Sequence, residues 1–174
     1  MARNPQRLPA PRNWSVDSLE AESVSTDEAS INDVAARIEL TTNQPLQPGS
    51  FSEIAFDQVG FKQADVVDAD IANNQIVVKK PGTYFVSVSL GWARTAGFSA
   101  GDEIAVTIDV DGSSVFFYDG QHGGADEAES QSVSGVVTAN AGSIITSEAR
   151  QGSGQQEDLR GDDFATSLSV GRLG

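Results

Sequence analysis

The sequence predicts an all-β domain, an antiparallel β-sandwich preceded by an extended N-terminal arm. Three observations carry this. Tyr84, Val86, Val88 and Leu90 alternate with Phe85, Ser87, Ser89 and Gly91, which is the period of a strand. Turn dipeptides, Pro81-Gly82 and Asp111-Gly112, separate apolar runs. About eight short β-like runs follow at even spacing from residue 36 onward. The domains read as 1–35, an arm and acidic linker, and 36–174, the sandwich.

Residues 1–12 hold Pro5, Pro9 and Pro11, which deny a regular helix or a central strand and favour an extended arm. They also hold Arg3, Arg7 and Arg12 and no acid, a charge of +3. The rest of the chain therefore carries −17 against the chain's −14. This polarity predicts an anchor, the arm ordering on the acidic surface of another protein. Residues 13–36 are acidic and Ser-rich, with Trp14 and Leu19 as isolated anchors. Ser25-Thr26-Asp27-Glu28 reads as a helix start, and Ile31, Val34, Ala35 and Ile38 have helical spacing.

Ile38 to Thr41 is the first expected strand. Residues 43–50 form a loop punctuated by Pro45, Pro48 and Gly49. Residues 54–59 alternate as a strand through Ile54 and Phe56, and residues 65–70 are a polar connection. Ile76 to Val78 and Tyr84 to Leu90 are strands around the Pro-Gly turn, the second of them central. Its outward face keeps Phe85 among small residues, which suggests close packing rather than a charged solvent face. Ile104, Val106, Ile108 and Val110 share one face of a strand that turns at Asp111-Gly112 into Val115-Phe116-Phe117-Tyr118. Residues 119–129 are a Gly-rich acidic loop. Residues 130–138 are a strand with Val133 and Val137 inward, and 139–142 a turn. Ile144 to Thr146 begins the next strand, 150–163 is a long loop, and Phe164, Leu168 and Val170 line the inward side of the last strand. A closing strand beside the opening one fits a jelly roll.

Several pieces stand in a telling order. They are Ala36-Arg37-Ile38-Glu39-Leu40-Thr41, Ile54-Ala55-Phe56-Asp57-Gln58-Val59, Asn74-Gln75-Ile76, Pro81-Gly82-Thr83-Tyr84-Phe85-Val86, Ala141-Gly142-Ser143-Ile144-Ile145 and Asp163-Phe164-Ala165-Thr166-Ser167-Leu168. Together they resemble the C1q/TNF-like family of trimeric jelly rolls, as found in virion structural proteins. The fourth piece is similar to the family's Pro-Gly-x-Tyr-x-Phe signature, with Val86 in the final place. Ser143 stands where the family turn has Asp, and Thr166 where the closing strand has Gly. The collagen-like repeats usual upstream of C1q relatives are replaced here by the Pro/Arg arm. The resemblance implies a homotrimer packed around an apolar axis, with Phe85 and one register of Phe116, Phe117 and Tyr118 reaching that axis.

The chain has 174 residues and no Cys, so it can form no disulfide, thiolate metal site or Cys nucleophile. Its 25 acids against 11 basic residues argue against general nucleic-acid binding, because phosphates would be repelled. They fit a protein adapted to high salt, where screening shortens to about 3 Å at 1 M. No apolar run is long enough to span a bilayer, and no apolar segment follows Arg3 and Arg7 as a secretory signal requires. His122 is the single histidine and lies in a Gly-rich stretch, which reads as a solvated loop residue. Asp109 and Asp111 form a fragment of a calcium-loop pattern, and Asp126 and Glu127 add an acidic loop. These four are the candidate Ca²⁺ ligands, since hard cations take oxygen ligands. Arg160-Gly161-Asp162 matches a short adhesion tripeptide, a pattern that recurs by chance. No catalytic set is present, so no enzyme activity and no cofactor is expected.

The expected function is structural. The chain would be a trimeric capsid decoration, turret or spike-like protein of a virion, fixed to shell proteins by Arg3, Pro5, Arg7, Pro9, Pro11 and Arg12. The alternative is a receptor- or glycan-binding head of a fibre or cell-surface protein, placed on the extracellular surface.

Overall fold

The computed structural model describes residues 34–93, 97–124, 130–161 and 165–173. The expected arm, its linker helix, Asp126, Glu127 and Phe164 lie outside these residues.

The described chain forms thirteen strands: β1 (Val34–Glu39), β2 (Gln44–Leu46), β3 (Ser52–Glu53), β4 (Gln58–Lys62), β5 (Val67–Asp70), β6 (Gln75–Val78), β7 (Gly82–Gly91), β8 (Glu103–Val110), β9 (Ser113–Gln121), β10 (Ser130–Ala139), β11 (Ile144–Gln151), β12 (Glu157–Leu159) and β13 (Ser167–Leu173). Sheet one has the order β10-β7-β13-β1-β4. Sheet two has the order β5-β6-β11-β8-β9, with β3 added beside β11, and β2 pairs β12 in a two-stranded ribbon. Every pairing is antiparallel, and the closing β13 lies between β7 and the opening β1. The all-β antiparallel sandwich is therefore as the sequence predicts.

The core fills the space between the two sheets. Tyr84, Val86, Val88 and Leu90 of β7 are fully buried, and they face Ile104, Val106 and Ile108 of β8 and Ile76 and Ile145 of β6 and β11. Burying one such side chain stabilises the fold by roughly 1.5–3 kcal/mol. Two polar side chains that enter this layer are hydrogen-bonded to backbone carbonyls. Ser147 donates to the Thr107 carbonyl, and Gln151 Nε2 donates to the Leu46 carbonyl at 3.1 Å. The Asp111-Gly112 turn has φ of 52° and 75°, the double positive φ that a tight two-residue hairpin needs.

Four sequence expectations change. Residues 54–59 are not one strand: β3 ends at Glu53 and β4 begins at Gln58. Between them the chain crosses from sheet two to sheet one. Ile54 N donates to Ser147 O at 3.1 Å, and Asp57 N donates to Glu39 O at 3.0 Å. Ile54 and Phe56 are buried as expected, but by a crossing rather than by a pleat. The polar connection 65–70 contains the edge strand β5, whose acids turn outward while Val67 is buried. The two expected loops, 43–50 and 150–163, each hold a three-residue strand, and these pair with one another. Helical spacing through Ile38 is overturned, because from Val34 onward the chain is strand β1, with an irregularity of register between Val34 and Ala36.

Candidate self-association surface

The outward face of sheet one is built by strand alternation. The pairings place Phe85 between Val136 of β10 and Gly171 of β13. The next rows are Ser134, Ser87 and Ser169, then Ser132, Ser89 and Ser167. The centre of the sheet thus carries two rows of serine beside one apolar row. Phe85 is 43% exposed and Val136 56% exposed. The two side chains are cross-strand neighbours on the edge strand β10 and the strand beside it, so their exposed apolar surfaces adjoin. On β1 the face ends in an ion pair, Arg37 Nε to Glu39 Oε1 at 2.9 Å. Glu39 is buried, and its carboxylate lies where a Cβ on Gly60 would stand, 2.2 Å away.

The edge of the sandwich at β9 and β10 supplies a second surface. Phe116 and Tyr118 pair with the inward-facing Ile108 and Val106. They therefore point toward the gap between the sheets at its open side. The tip of the Phe116 ring lies against β10 at Gly135, where an added Cβ would fall 2.1 Å from it. Tyr118 folds over Gly120 in the same way and stays exposed. Phe117 pairs with Thr107 and points to the other side, the outward face of sheet two, where it meets Phe51 edge-on at 6.2 Å. Arg150 covers Phe51, 4.9 Å from the ring centre, and pairs with Glu103. The residues expected at a trimer axis, Phe85 and one or other register of β9, thus fall on three surfaces. Phe85 lies on the sheet-one face, Phe116 and Tyr118 at the open edge, and Phe117 on the opposite outward face.

The acidic candidates have local work. Asp109 accepts from Thr107 Oγ1 at 3.0 Å and from Ser114 Oγ. Asp111 accepts from Ile144 N at 2.9 Å and Ser143 Oγ at 3.0 Å, tying two turns together. Among the described residues no group of three or more His, Asp or Glu side chains is placed to hold a metal ion. Glu148 stands directly opposite Glu53 across β11 and β3. Burial, then the charges of Asp109 and Glu53, push its carboxyl above the ordinary range. No helix among the described residues is long and apolar enough to cross a membrane. Gly161 is packed against the Thr42 backbone and donates to Asn43 Oδ1 at 2.9 Å, so the adhesion-like tripeptide is fixed at its centre.

Two residues depart from the sequence reading. His122, expected in solvent, is 2% exposed, and its ring stacks on Phe98 at 4.0 Å with 3° between planes. Glu157, expected in an acidic loop, is 1% exposed on β12. Nothing in the Gly-rich text around His122 signals the stack, because its partner lies 24 positions upstream at Phe98.

No protein-family model and no curated protein sequence matches the chain. Solved structures do. The chain is similar to Eiger TNF from S. frugiperda, with a TM-score of 0.59 and 10% identity over 82% of this chain and 93% of that one. It is also similar to murine APRIL, with a TM-score of 0.53 and 16% identity over 79% of this chain and 98% of that one. At these identities the likeness is one of fold, the TNF-like jelly roll.

Proposed function

We propose that the chain is a non-enzymatic head module that assembles as a homotrimer. In this reading the open edge of one copy, with Phe116 and Tyr118, seats on the sheet-one face of the next. Because the two surfaces differ, the contact is head-to-tail and closes as a ring. The observation that carries this is the exposed Phe85–Val136 row on β7 and the edge strand β10, beside serines small enough for close approach. The C1q/TNF-like resemblance supports the number three.

The finer reading is a structural protein of a virion, a decoration, turret or spike-like protein moored to other shell proteins by residues 1–12. The +3 arm on an otherwise −17 chain supports it. A receptor- or glycan-binding head is the second reading, favoured by the exposed aromatic Phe117 beside Phe51 and Arg150 on the other outward face.

Phe85→Asp tests the assembly. An unpaired charge buried in the interface costs several kcal/mol, so light scattering should show single chains with an unchanged circular dichroism spectrum. A trimer that survives this change would remove Phe85 from the interface. Deleting residues 1–12 should abolish incorporation into the parent particle while leaving the trimer intact, and unaltered incorporation would refute the mooring role.

A further inference from the structure

The register of β8, β9 and β11 builds a surface on the outward face of sheet two. Phe117, Asp119 and Gln121 of β9 pair with Thr107, Ala105 and Glu103 of β8, the set that alternates with the inward Ile104, Val106 and Ile108. Ala105 also pairs with Arg150 of β11, so its methyl group lies between an aspartate and an arginine. Beside this dip the fold leaves a cleft of about 500 Å³, lined by Gly101, Glu103, Asp119, Gly120 and Gln121. That volume falls within the range of small-ligand sites. Phe117, 51% exposed, stands on the same face one pleat along the strand from Asp119.

The chemistry of the cleft narrows what can enter it. Its lining is glycine, carboxylate and amide, which offers an apolar molecule little to pack on. The carboxylates of Glu103 and Asp119 repel an anion. They are not set up for a cation either. Glu103 is already paired with Arg150, whose guanidinium is fixed over the Phe51 ring. A ligand with many hydroxyls and one apolar face meets every condition. Carboxylates accept strong hydrogen bonds from hydroxyl groups. The amide of Gln121 both donates and accepts. An exposed aromatic ring offers its face to C–H groups.

We propose that the cleft and the Phe117 ring form a binding site for a neutral saccharide. One sugar unit lays its C–H face on Phe117, and the hydroxyls of the next enter the cleft toward Asp119 and Gln121. Arg150 holds Glu103 in place as a further acceptor. The site rests on the second reading given above, a glycan-binding head, and supplies that reading with a location and a charge preference. It lies on a face that the trimer contact does not use, so each copy would present its own site.

The test applies the full chain to an array of neutral and anionic oligosaccharides. The tightest neutral ligand and a hyaluronan oligosaccharide are then titrated while the backbone amides are followed by NMR. The expected result is binding of neutral glycans, none of hyaluronan, and amide shifts centred on Glu103 and on residues 117–121. Phe117→Ala should weaken the neutral glycan roughly tenfold. Asp119→Asn should weaken it less and relax the exclusion of hyaluronan. Shifts centred elsewhere, with full affinity in Phe117→Ala, would overturn this site and leave the glycan-binding reading standing. Tighter binding of hyaluronan than of any neutral glycan would overturn the proposed class of ligand. A chain that binds no glycan would overturn both the site and the reading beneath it. The wild-type array and shift map decide these outcomes even if a variant fails to fold.

Discussion

At the scale of single residues, close approaches set what the sequence can tolerate. Gly135 is the clearest case, since the Phe116 ring occupies the place of its missing Cβ. Gly135→Ala would push Phe116 out of the gap, and overpacking of this kind costs about 1–3 kcal/mol. A urea midpoint lowered by that free energy divided by the slope, with the slope unchanged, is expected, and an unchanged midpoint would mean that the ring can move freely. Glu148 is the electrostatic counterpart. Its carboxyl is raised by burial and by Asp109 and Glu53, so ionising it is harder in the folded chain than in the unfolded one. The sign follows. Its contribution favours the fold below the ordinary glutamate value of 4.5 and is lost as pH rises through the higher folded value. Glu148→Gln should therefore raise the melting temperature at pH 7 and make little difference below pH 4. A variant less stable than wild type at pH 7 would contradict this. At this scale the sequence was least informative. The burial of His122 and Glu157 depends on partners at Phe98 and Gly97, far away along the chain, which neither periodicity nor composition can reveal.

At the scale of elements, alternation was legible wherever a strand has one wet face and one dry face. β7, with Tyr84, Val86, Val88 and Leu90 inward, is read directly from its period of two. β8 shows the same inward set although both of its faces are largely covered, because its outward residues are the small or polar Ala105, Thr107 and Asp109. The short strands were missed for a physical reason. β2, β5 and β12 have three or four residues each, too few for a period to emerge, and β2 and β12 exist because they pair with each other across more than a hundred positions. The crossing at 54–57 was mistaken for a strand because Ile54 and Phe56 are both buried, and burial at i and i+2 imitates alternation. The β8–β9 turn was legible because Asp-Gly supplies the positive φ. Gly112→Ala, at φ of 75°, should destabilise by about 1 kcal/mol without altering the fold. Thermal unfolding measures it, and no loss of stability would mean that the turn relaxes to another type.

At the scale of the whole molecule, two features belong together. The head is strongly acidic, at −14 for the full chain, and it presents an apolar row on its central sheet face. Bringing such chains together sets like charge against apolar burial. Salt shortens the reach of the repulsion from about 10 Å at 0.1 M to about 3 Å at 1 M, and leaves the apolar gain in place. The proposed trimer should therefore be tighter in high salt and dissociate as salt is removed. The general sandwich and the outward position of Phe85 were legible in the sequence. Which register of β9 faces the gap, Phe116 and Tyr118 or Phe117, was not, because a four-residue apolar run leaves that open.

The most direct measurement is the mass of the full chain by light scattering, in 1 M salt and again in 0.1 M. The account predicts a particle of about three times the chain mass of 18.3 kDa in high salt, shifting toward the single chain at low salt. A mass of one chain in 1 M salt, at concentrations well above those of a stable complex, would contradict it.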